Sequence, residues 1–264
     1  MCKEILLWKM TWPEVRDRLK ESQIAIVCVG STEAHGLHLS LEADTIVPFE
    51  MARRAAEKVF DEVKPVIAPP IPYGYQPLPS ISNFPGTIGI SSETLKQLVK
   101  EVCASLIRQG FKKIVILDGH GGDGPSIQIA MWELADETEA YIVKVDWWGG
   151  FGGDIVRKET ESRTIVHACE TETSVAWACG GRVLMDRAEK VEPESPSKYV
   201  RFDLYASEPV VTAVGKPLDW SKLTKGISGL LDPTKASIEK GERIVNEIVE
   251  RLADLLRELK TIEV

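Results

Sequence analysis

The chain has only four histidines, and each lies in a short polar segment that also carries a glutamate or an aspartate. The segments are GSTEAHGLHLSLEAD (30–44) with His35 and His38, DGHGGD (118–123) with His120, and HACETETS (167–174) with His167. Imidazole and carboxylate groups together are typical ligands of Zn, Mn or Fe, whereas a thiolate site needs cysteines, and these segments contain only Cys169. The histidines therefore indicate a metal-assisted reaction.

The spacing of these residues suits one shared site. Glu33 and His35 are two positions apart, so in an extended segment both side chains point to the same side. Asp44 follows in the same predicted loop, and His120 is flanked by glycines, which permit a tight turn and a close approach. Glu172, just inside a predicted helix, is a fifth candidate ligand. Each residue alone also has a simpler interpretation, as a solvated side chain, a helix cap or part of a glycine turn.

Apolar runs and helical periodicities alternate along the chain and must position these side chains. Strands are predicted at 24–29, 66–68, 112–118 and 141–145, and helices from Thr11 and at 48–63, 92–109, 125–137, 170–179 and 234–259. This alternation predicts a mainly parallel sheet with helices on both faces. Because such sheets bind ligands outside the carboxyl ends of their strands, the histidine loops are expected to meet there. A proline-rich segment, 64–87, is predicted to be a long ordered loop that serves binding.

Length and charge favour a single-domain protein that binds neither nucleic acid nor anionic membranes. The chain has 264 residues, with 32 Lys and Arg against 40 Asp and Glu, giving a net charge of −8. This length suits one domain over 1–264, and the negative balance argues against nucleic-acid or anionic-membrane partners. The N-terminal segment lacks the features of a signal peptide, and no apolar run reaches the roughly 18 residues of a membrane span. We therefore expect a cytoplasmic protein whose five cysteines are reduced thiols.

Four motifs of the chain resemble those of the creatininase (creatinine amidohydrolase) family in order and spacing. They are GSTEAHGLHLSLEAD (30–44), FPGT (84–87), DGHGGD (118–123) and HACETETS (167–174). The resemblance implies a three-layer α/β/α sandwich, two divalent metal ions per chain (Zn, Mn or Fe), and a ring-like homo-oligomer, often a hexamer. It also implies hydrolysis of a C–N bond in a small cyclic amide or formamide by a metal-bridged hydroxide.

The resemblance also assigns residues to roles. It implies that Glu33 and His120 bind one ion, that His35 and Glu172 bind the other, and that Asp44 bridges the two. His167 is then free to act as a general acid toward the departing nitrogen, or to hold the oxyanion. The remaining candidates are substrate-binding residues, namely Trp147, Trp148, His38 and Asp123.

The chain departs from the family pattern outside these predicted ligands. Leu37 and Ser40 replace prolines, and Asp118 and Asp123 replace the asparagines that bracket the His120 loop. Many members carry a histidine before FPGT, where this chain reads YGYQPLPSISN and has none. The substrate is therefore expected to be a small polar ring or formamide other than creatinine.

Two alternatives stay open. The same metal centre could hydrolyse a C–C bond of a cyclic diketone such as an oxidised inositol, for which Gln76, Ser80, Ser82 and Asn83 offer polar groups. Alternatively, the chain could be a non-catalytic family member that uses the fold for binding. The second alternative is disfavoured because all five predicted ligands are present.

Overall fold

A single parallel sheet organises the molecule. The computed structural model describes residues 3–77, 79–162, 165–192 and 219–264. Four strands within these ranges are hydrogen-bonded in the order β2-β1-β3-β4. They are β1 (Ile24–Val29), β2 (Val66–Ile67), β3 (Lys113–Asp118) and β4 (Tyr141–Asp146). Every pairing is parallel, which confirms the sheet that the alternating pattern predicts.

Helices cover both faces of this sheet. In chain order they are α1 (Trp12–Leu19), α2 (Ala43–Lys58), α3 (Phe60–Val63), α4 (Ser92–Gln109), α5 (Gly124–Glu137), α6 (Gly153–Glu159), α7 (Glu170–Ala178), α8 (Trp220–Leu223) and α9 (Ile238–Thr261). Helices α4 and α5 pack on one face, together with α1. Helices α2, α7 and α9 pack together on the other face. The three-layer α/β/α sandwich is therefore confirmed.

Strand β1 is apolar at every position because both of its faces are buried. Alternate residues of a strand point to opposite faces of the sheet. Ile24, Ile26 and Cys28 belong to the core beneath α2, α7 and α9, whereas Ala25 and Val27 belong to the core beneath α4 and α5. Since both faces of the strand are buried, both sets of side chains must be apolar.

The start of α2 differs from the prediction. The pattern predicts the helix at 48–63 because Phe49, Ala52, Ala56 and Val59 recur at helical spacing. The helix instead begins at Ala43, contains Pro48, and ends at Lys58 before the short helix α3. Pro48 lacks the N–H that would bond the carbonyl of Asp44, one turn earlier, and the helix continues through it. Asp44 therefore lies in the first turn of a helix and not in a loop.

Other boundaries agree to within a few residues. Helix α4 spans the predicted 92–109, and α9 begins four residues after the predicted start. The proline-rich segment contains β2 and a short 3₁₀ helix, Pro79–Asn83, and α6 was not predicted. Cys28, Cys103, Cys169 and Cys179 are buried and form no disulfide within the described residues, while Cys2 lies outside them. None of the described helices is both long and apolar enough to cross a bilayer.

Candidate metal centre

The predicted ligands meet where strands end and helices begin. Glu33 and His35 follow β1, and His120 follows β3. Asp44 and Glu172 lie in the first turns of α2 and α7. The carboxyl edge of the parallel sheet thus brings together five residues from three separate segments of the sequence, as expected for this class of fold.

Three of these residues form one compact group. Ligand atoms of Glu33, Asp44 and His120 lie within 4.8 Å of one another. His120 Nδ1 lies 3.2 Å from Glu33 Oε2 and 3.1 Å from Asp44 Oδ2. The other ring nitrogen, Nε2, lies 3.0 Å from the carbonyl of Tyr75 and donates to it. This hydrogen bond fixes the tautomer and turns the Nδ1 lone pair toward the two carboxylates.

A second group lies on the other side of Asp44. It contains His35, His167 and Glu172, again with ligand atoms within 4.8 Å of one another. His35 Nδ1 donates to the carbonyl of Glu33 at 3.0 Å, so its Nε2 carries the lone pair. That Nε2 lies 3.0 Å from Asp44 Oδ1 and 3.9 Å from Glu172 Oε2. The two oxygens of Asp44 therefore face histidines of different groups.

Two glycines allow Asp44 to approach so closely. Gly30 ends β1 and Gly119 follows β3, and a Cβ at these positions would lie 2.2 Å and 2.0 Å from the backbone oxygen of Asp44. Any side chain there would push the start of α2 away from the sheet. The backbone of the strand ends therefore sets the position of Asp44.

Glu172 is held by the turn before its helix. Cys169 is the N-cap residue of α7, and Ala168 has a left-handed backbone with φ of 55°. This conformation directs the N–H of Ala168 to Glu172 Oε2, which accepts a hydrogen bond from it. The turn thus orients the Glu172 carboxylate and also presents His167, the residue that precedes it.

The donor set fits divalent metal ions. Within the described part of the chain, three buried atoms of the two groups lack a hydrogen bond of good geometry, namely Glu33 Oε1, His35 Nε2 and Asp44 Oδ2. Buried polar atoms are normally satisfied, and a bound cation would satisfy these three. Nitrogen and carboxylate oxygen donors are the ligands that Zn and Mn accept.

The charges of the two groups shift one another strongly. Burial raises the pKa of Glu33, and it raises the pKa of Glu172 to about 7. Burial alone would lower the pKa of His35, but Asp44 and Glu172 raise it to about 10. Burial would likewise raise the pKa of Asp44, and the neighbouring His35 and His120 lower it instead. Carboxylates held this close require positive charge between them, which histidine protons or metal ions can supply.

His167 is fixed by a carbonyl of the motif that follows β1. Its Nε2 donates to the oxygen of Ala34 at 2.7 Å. Ser228 Oγ donates to the same oxygen at 3.1 Å, and the indole Nε1 of Trp220 donates to Ser228 Oγ at 3.1 Å. The Trp220 ring meets His167 edge-on, with 5.4 Å between ring centroids. Burial and the nearby His35 hold the pKa of His167 well below its usual value.

We expect the hydroxyl of Ser228 to support His167 in this position. Ser228 has a left-handed φ of 52°, so Ser228→Ala removes the hydroxyl and Ser228→Gly removes it while also relieving the backbone. Leaving a buried group without its hydrogen-bond partner costs about 1–3 kcal/mol. Because His167 is then held less firmly, we expect about 1.4 kcal/mol of this cost in the activation free energy, so both variants should lower kcat by about tenfold. Metal content, measured by elemental analysis, should not change. Wild-type activity in Ser228→Gly would show that the hydroxyl does not matter.

Two further residues, Gln76 and Trp220, contact residues of the two groups although the sequence does not mark them as part of the site. Gln76 was considered only as a polar group for a diketone, but its Nε2 donates to Glu33 Oε2 at 3.0 Å and to Ser31 Oγ at 2.8 Å. Trp220 lies in no motif of the sequence, where it looks like an ordinary core or interface tryptophan. Its contact with His167 depends on tertiary packing that no local pattern reveals.

The predicted substrate-binding residues occupy varied surroundings. Trp147 and Trp148 are 2% and 7% exposed and belong to the core beneath α2, α7 and α9. His38 is buried, and its ring Nε2 lies 2.8 Å from Thr173 Oγ1. Asp123 accepts the N–H of Tyr75 through Oδ1 at 2.8 Å. Their role in substrate binding stays a prediction, and their surroundings favour structural support of the site.

Comparison with known proteins identifies the family. Residues 8–256 match the family model of creatininase, described as creatinine amidohydrolase. The chain belongs to the creatininase family. The 3-dehydro-scyllo-inosose hydrolase of Thermotoga maritima is 29% identical over 262 residues, covering 95% of this chain and 82% of the relative. The creatinine amidohydrolase of Pseudomonas putida is 26% identical over 273 residues, covering 98% of each.

Solved structures agree with this membership. A Bacteroides fragilis protein assigned as a creatinine amidohydrolase has a TM-score of 0.83 and 30% identity, and the match covers 100% of this chain and 99% of that one. Two other solved creatininases, 24% identical, are described as a Mn form and as a Zn–Zn form of a variant. This creatininase-family chain is accordingly a hydrolase.

Proposed function

We propose that this chain is an amidohydrolase that uses two divalent ions to cleave the C–N bond of a small cyclic amide or formamide. The observation that carries the proposal is the position of Asp44. Its Oδ1 lies 3.0 Å from His35 Nε2 and its Oδ2 lies 3.1 Å from His120 Nδ1. One carboxylate shared by two histidine groups is the arrangement that a bridging ligand of a two-metal site requires.

The five predicted ligands divide naturally between the two ions. Glu33 and His120 would hold one ion, His35 and Glu172 the other, and Asp44 both. When bound, such a pair of ions activates water as a nucleophile and polarises the substrate carbonyl. Mn or Zn is the expected metal, because the donors are imidazole and carboxylate and because solved relatives have Mn and Zn–Zn forms.

His167 is proposed to move the proton. Its Nε2–H is committed to the carbonyl of Ala34, so Nδ1 is the nitrogen that can take up and release a proton. Cleavage of a C–N bond needs a proton on the departing nitrogen, and a positioned imidazole supplies it efficiently. The buried Trp220 ring, edge-on to the imidazole, helps to hold it in place.

The second candidate function is hydrolysis of a C–C bond in a cyclic diketone. It is favoured by the inosose hydrolase of Thermotoga maritima, which is 29% identical to this chain. Gln76 is buried, and its Oε1 lacks a hydrogen-bond partner among the described residues. An acceptor of this kind could bind a substrate hydroxyl. The same metal centre would serve either reaction, so the substrate alone separates the two candidates.

The direct test is reconstitution followed by a substrate panel. Metal-free protein is loaded with Mn²⁺ or Zn²⁺, its ions are counted by elemental analysis, and it is assayed on cyclic ureides, lactams, formamides, cyclic diketones and a linear dipeptide. We expect close to two ions per chain and metal-dependent hydrolysis of a cyclic amide or formamide. Turnover of diketones alone would favour the second candidate. Protein that binds no metal would refute both.

A further inference from the structure

The loop that presents His120 is held at both ends by aspartates. Asp118, the last residue of β3, is fully buried, and its Oδ1 accepts the backbone N–H of His120 at 3.1 Å. Asp123 accepts the N–H of Tyr75, whose carbonyl in turn receives His120 Nε2–H. One aspartate therefore fixes the backbone of His120, while the other fixes the partner of its ring.

Asp118 has its own counter-charge on the neighbouring strand. Lys144 is paired in register with Ile116 on β3, two residues before Asp118. Its Nζ lies 3.4 Å from Asp118 Oδ2, and it also contacts Asp146. The Lys144 side chain is only 14% exposed and the Asp118 side chain 1%. The pair is thus a nearly buried ion pair directly behind the His120 loop.

The surroundings of Lys144 indicate that the carboxylates hold it there. A Cβ at Gly124, the first residue of α5, would lie 3.8 Å from Lys144 Nζ. A helix N-terminus carries partial positive charge and disfavours a cation. Asp118 and Asp146 therefore hold the ammonium group in position. Asp118 in turn needs the ammonium group, because a buried carboxylate without a cation strongly destabilises the folded protein.

We propose that Lys144 is a positioning residue of the metal centre, which neutralises Asp118 so that its carboxylate can hold the backbone of His120 and aim Nδ1 at Glu33 and Asp44. The inference rests on the proposed two-metal function. An asparagine at position 118 would accept the same N–H without needing a cation. The need for Lys144 should therefore exist only when residue 118 is an aspartate.

The test is a double-mutant cycle on the metal-reconstituted protein with Mn²⁺ as the probe. The variants are Lys144→Met, Asp118→Asn and the double variant. Changing a residue that orients a metal ligand costs about 10–100-fold in metal affinity, so we expect Lys144→Met to weaken binding of one of the two ions by that factor. The affinity for the other ion, near His35, should stay unchanged. Both Asp118→Asn and the double variant should bind both ions within about threefold of wild type.

Two controls separate positioning from general stability. Lys100→Met removes a lysine of α4 with similar exposure, 18%, that also pairs with two carboxylates, Glu133 and Glu137 of α5. It should leave both Mn²⁺ affinities unchanged. Lys144→Arg keeps the positive charge and should retain both ions. It therefore still tests the inference if Lys144→Met does not fold.

The outcomes are distinct. A double variant that binds the weakened ion no better than Lys144→Met would overturn the inference, as would equal loss of both ions in Lys144→Met. Loss of the ion in Lys144→Arg, with the fold intact, would also overturn it. If the wild-type protein binds no Mn²⁺ or Zn²⁺, the proposed function fails first and takes this inference with it.

Discussion

Replacement of Asp44 by alanine is expected to remove both metal ions from the protein and to lower the hydrolytic rate by about 10³-fold or more. The reason is geometric, because Asp44 faces His35 with one oxygen and His120 with the other, at 3.0 Å and 3.1 Å. No other carboxylate of the two groups contacts both of these histidines at such distances in the described structure. Elemental analysis of the purified variant measures the loss.

Glu172→Ala is the matched comparison for this variant. Glu172 belongs only to the group of His35 and His167, so its loss should release one ion and leave the other. Asp44→Asn is a second control, since the amide keeps the shape but offers one neutral oxygen in place of two charged ones. Equal metal content in Asp44→Ala and Glu172→Ala would contradict a bridging role for Asp44.

The sheet was predictable because its sequence signal is local and strong. The run Ile24–Val29 is apolar at every position, and each of these residues is needed to fill one of two cores. Helix α4 also begins and ends where its local signals place it. Ser91 accepts the N–H of Thr94 as an N-cap, and Gly110 takes the left-handed conformation that ends the helix.

Predictions failed where tertiary contacts decide. A proline inside a helix is normally unfavourable, so local rules begin α2 at Pro48. The true start at Ala43 is stabilised by packing of the helix against the backbone of Gly30 and Gly119, which no local rule contains. Trp220 is likewise 53 positions from His167, and it is connected to the site by its hydrogen bond to Ser228 and its ring contact.

A metal-binding role and a proton-transfer role for His167 make opposite predictions about metal content. The residue lies within 4.8 Å of His35 and Glu172 through their ligand atoms, a distance that would also allow it to bind the second ion. A helix-capping role is already excluded, because α7 begins at Glu170 and its N-cap residue is Cys169. The remaining roles are metal ligand, proton carrier and oxyanion donor, and only the first predicts that a metal ion is lost with the side chain.

We expect His167→Ala to keep close to two ions per chain and to lower kcat by about 10²–10⁴-fold, the usual contribution of a positioned acid or base. His35→Ala, in the same group, should instead lose an ion, since its Nε2 faces both Asp44 and Glu172. His167→Asn should behave like His167→Ala, because an amide cannot carry the proton although it can still donate to Ala34.

Two other results would contradict a proton-transfer role for His167. Loss of one ion in His167→Ala would make Nδ1 a metal ligand and would leave water or Asp123 to protonate the departing nitrogen. Full activity in His167→Asn with both ions present would refute proton transfer and reduce the role of the residue to its hydrogen bond with Ala34. Because that bond holds Nε2–H, Nδ1 is the nitrogen left for the reaction, and counting metal ions beside kcat separates a metal ligand from a proton carrier.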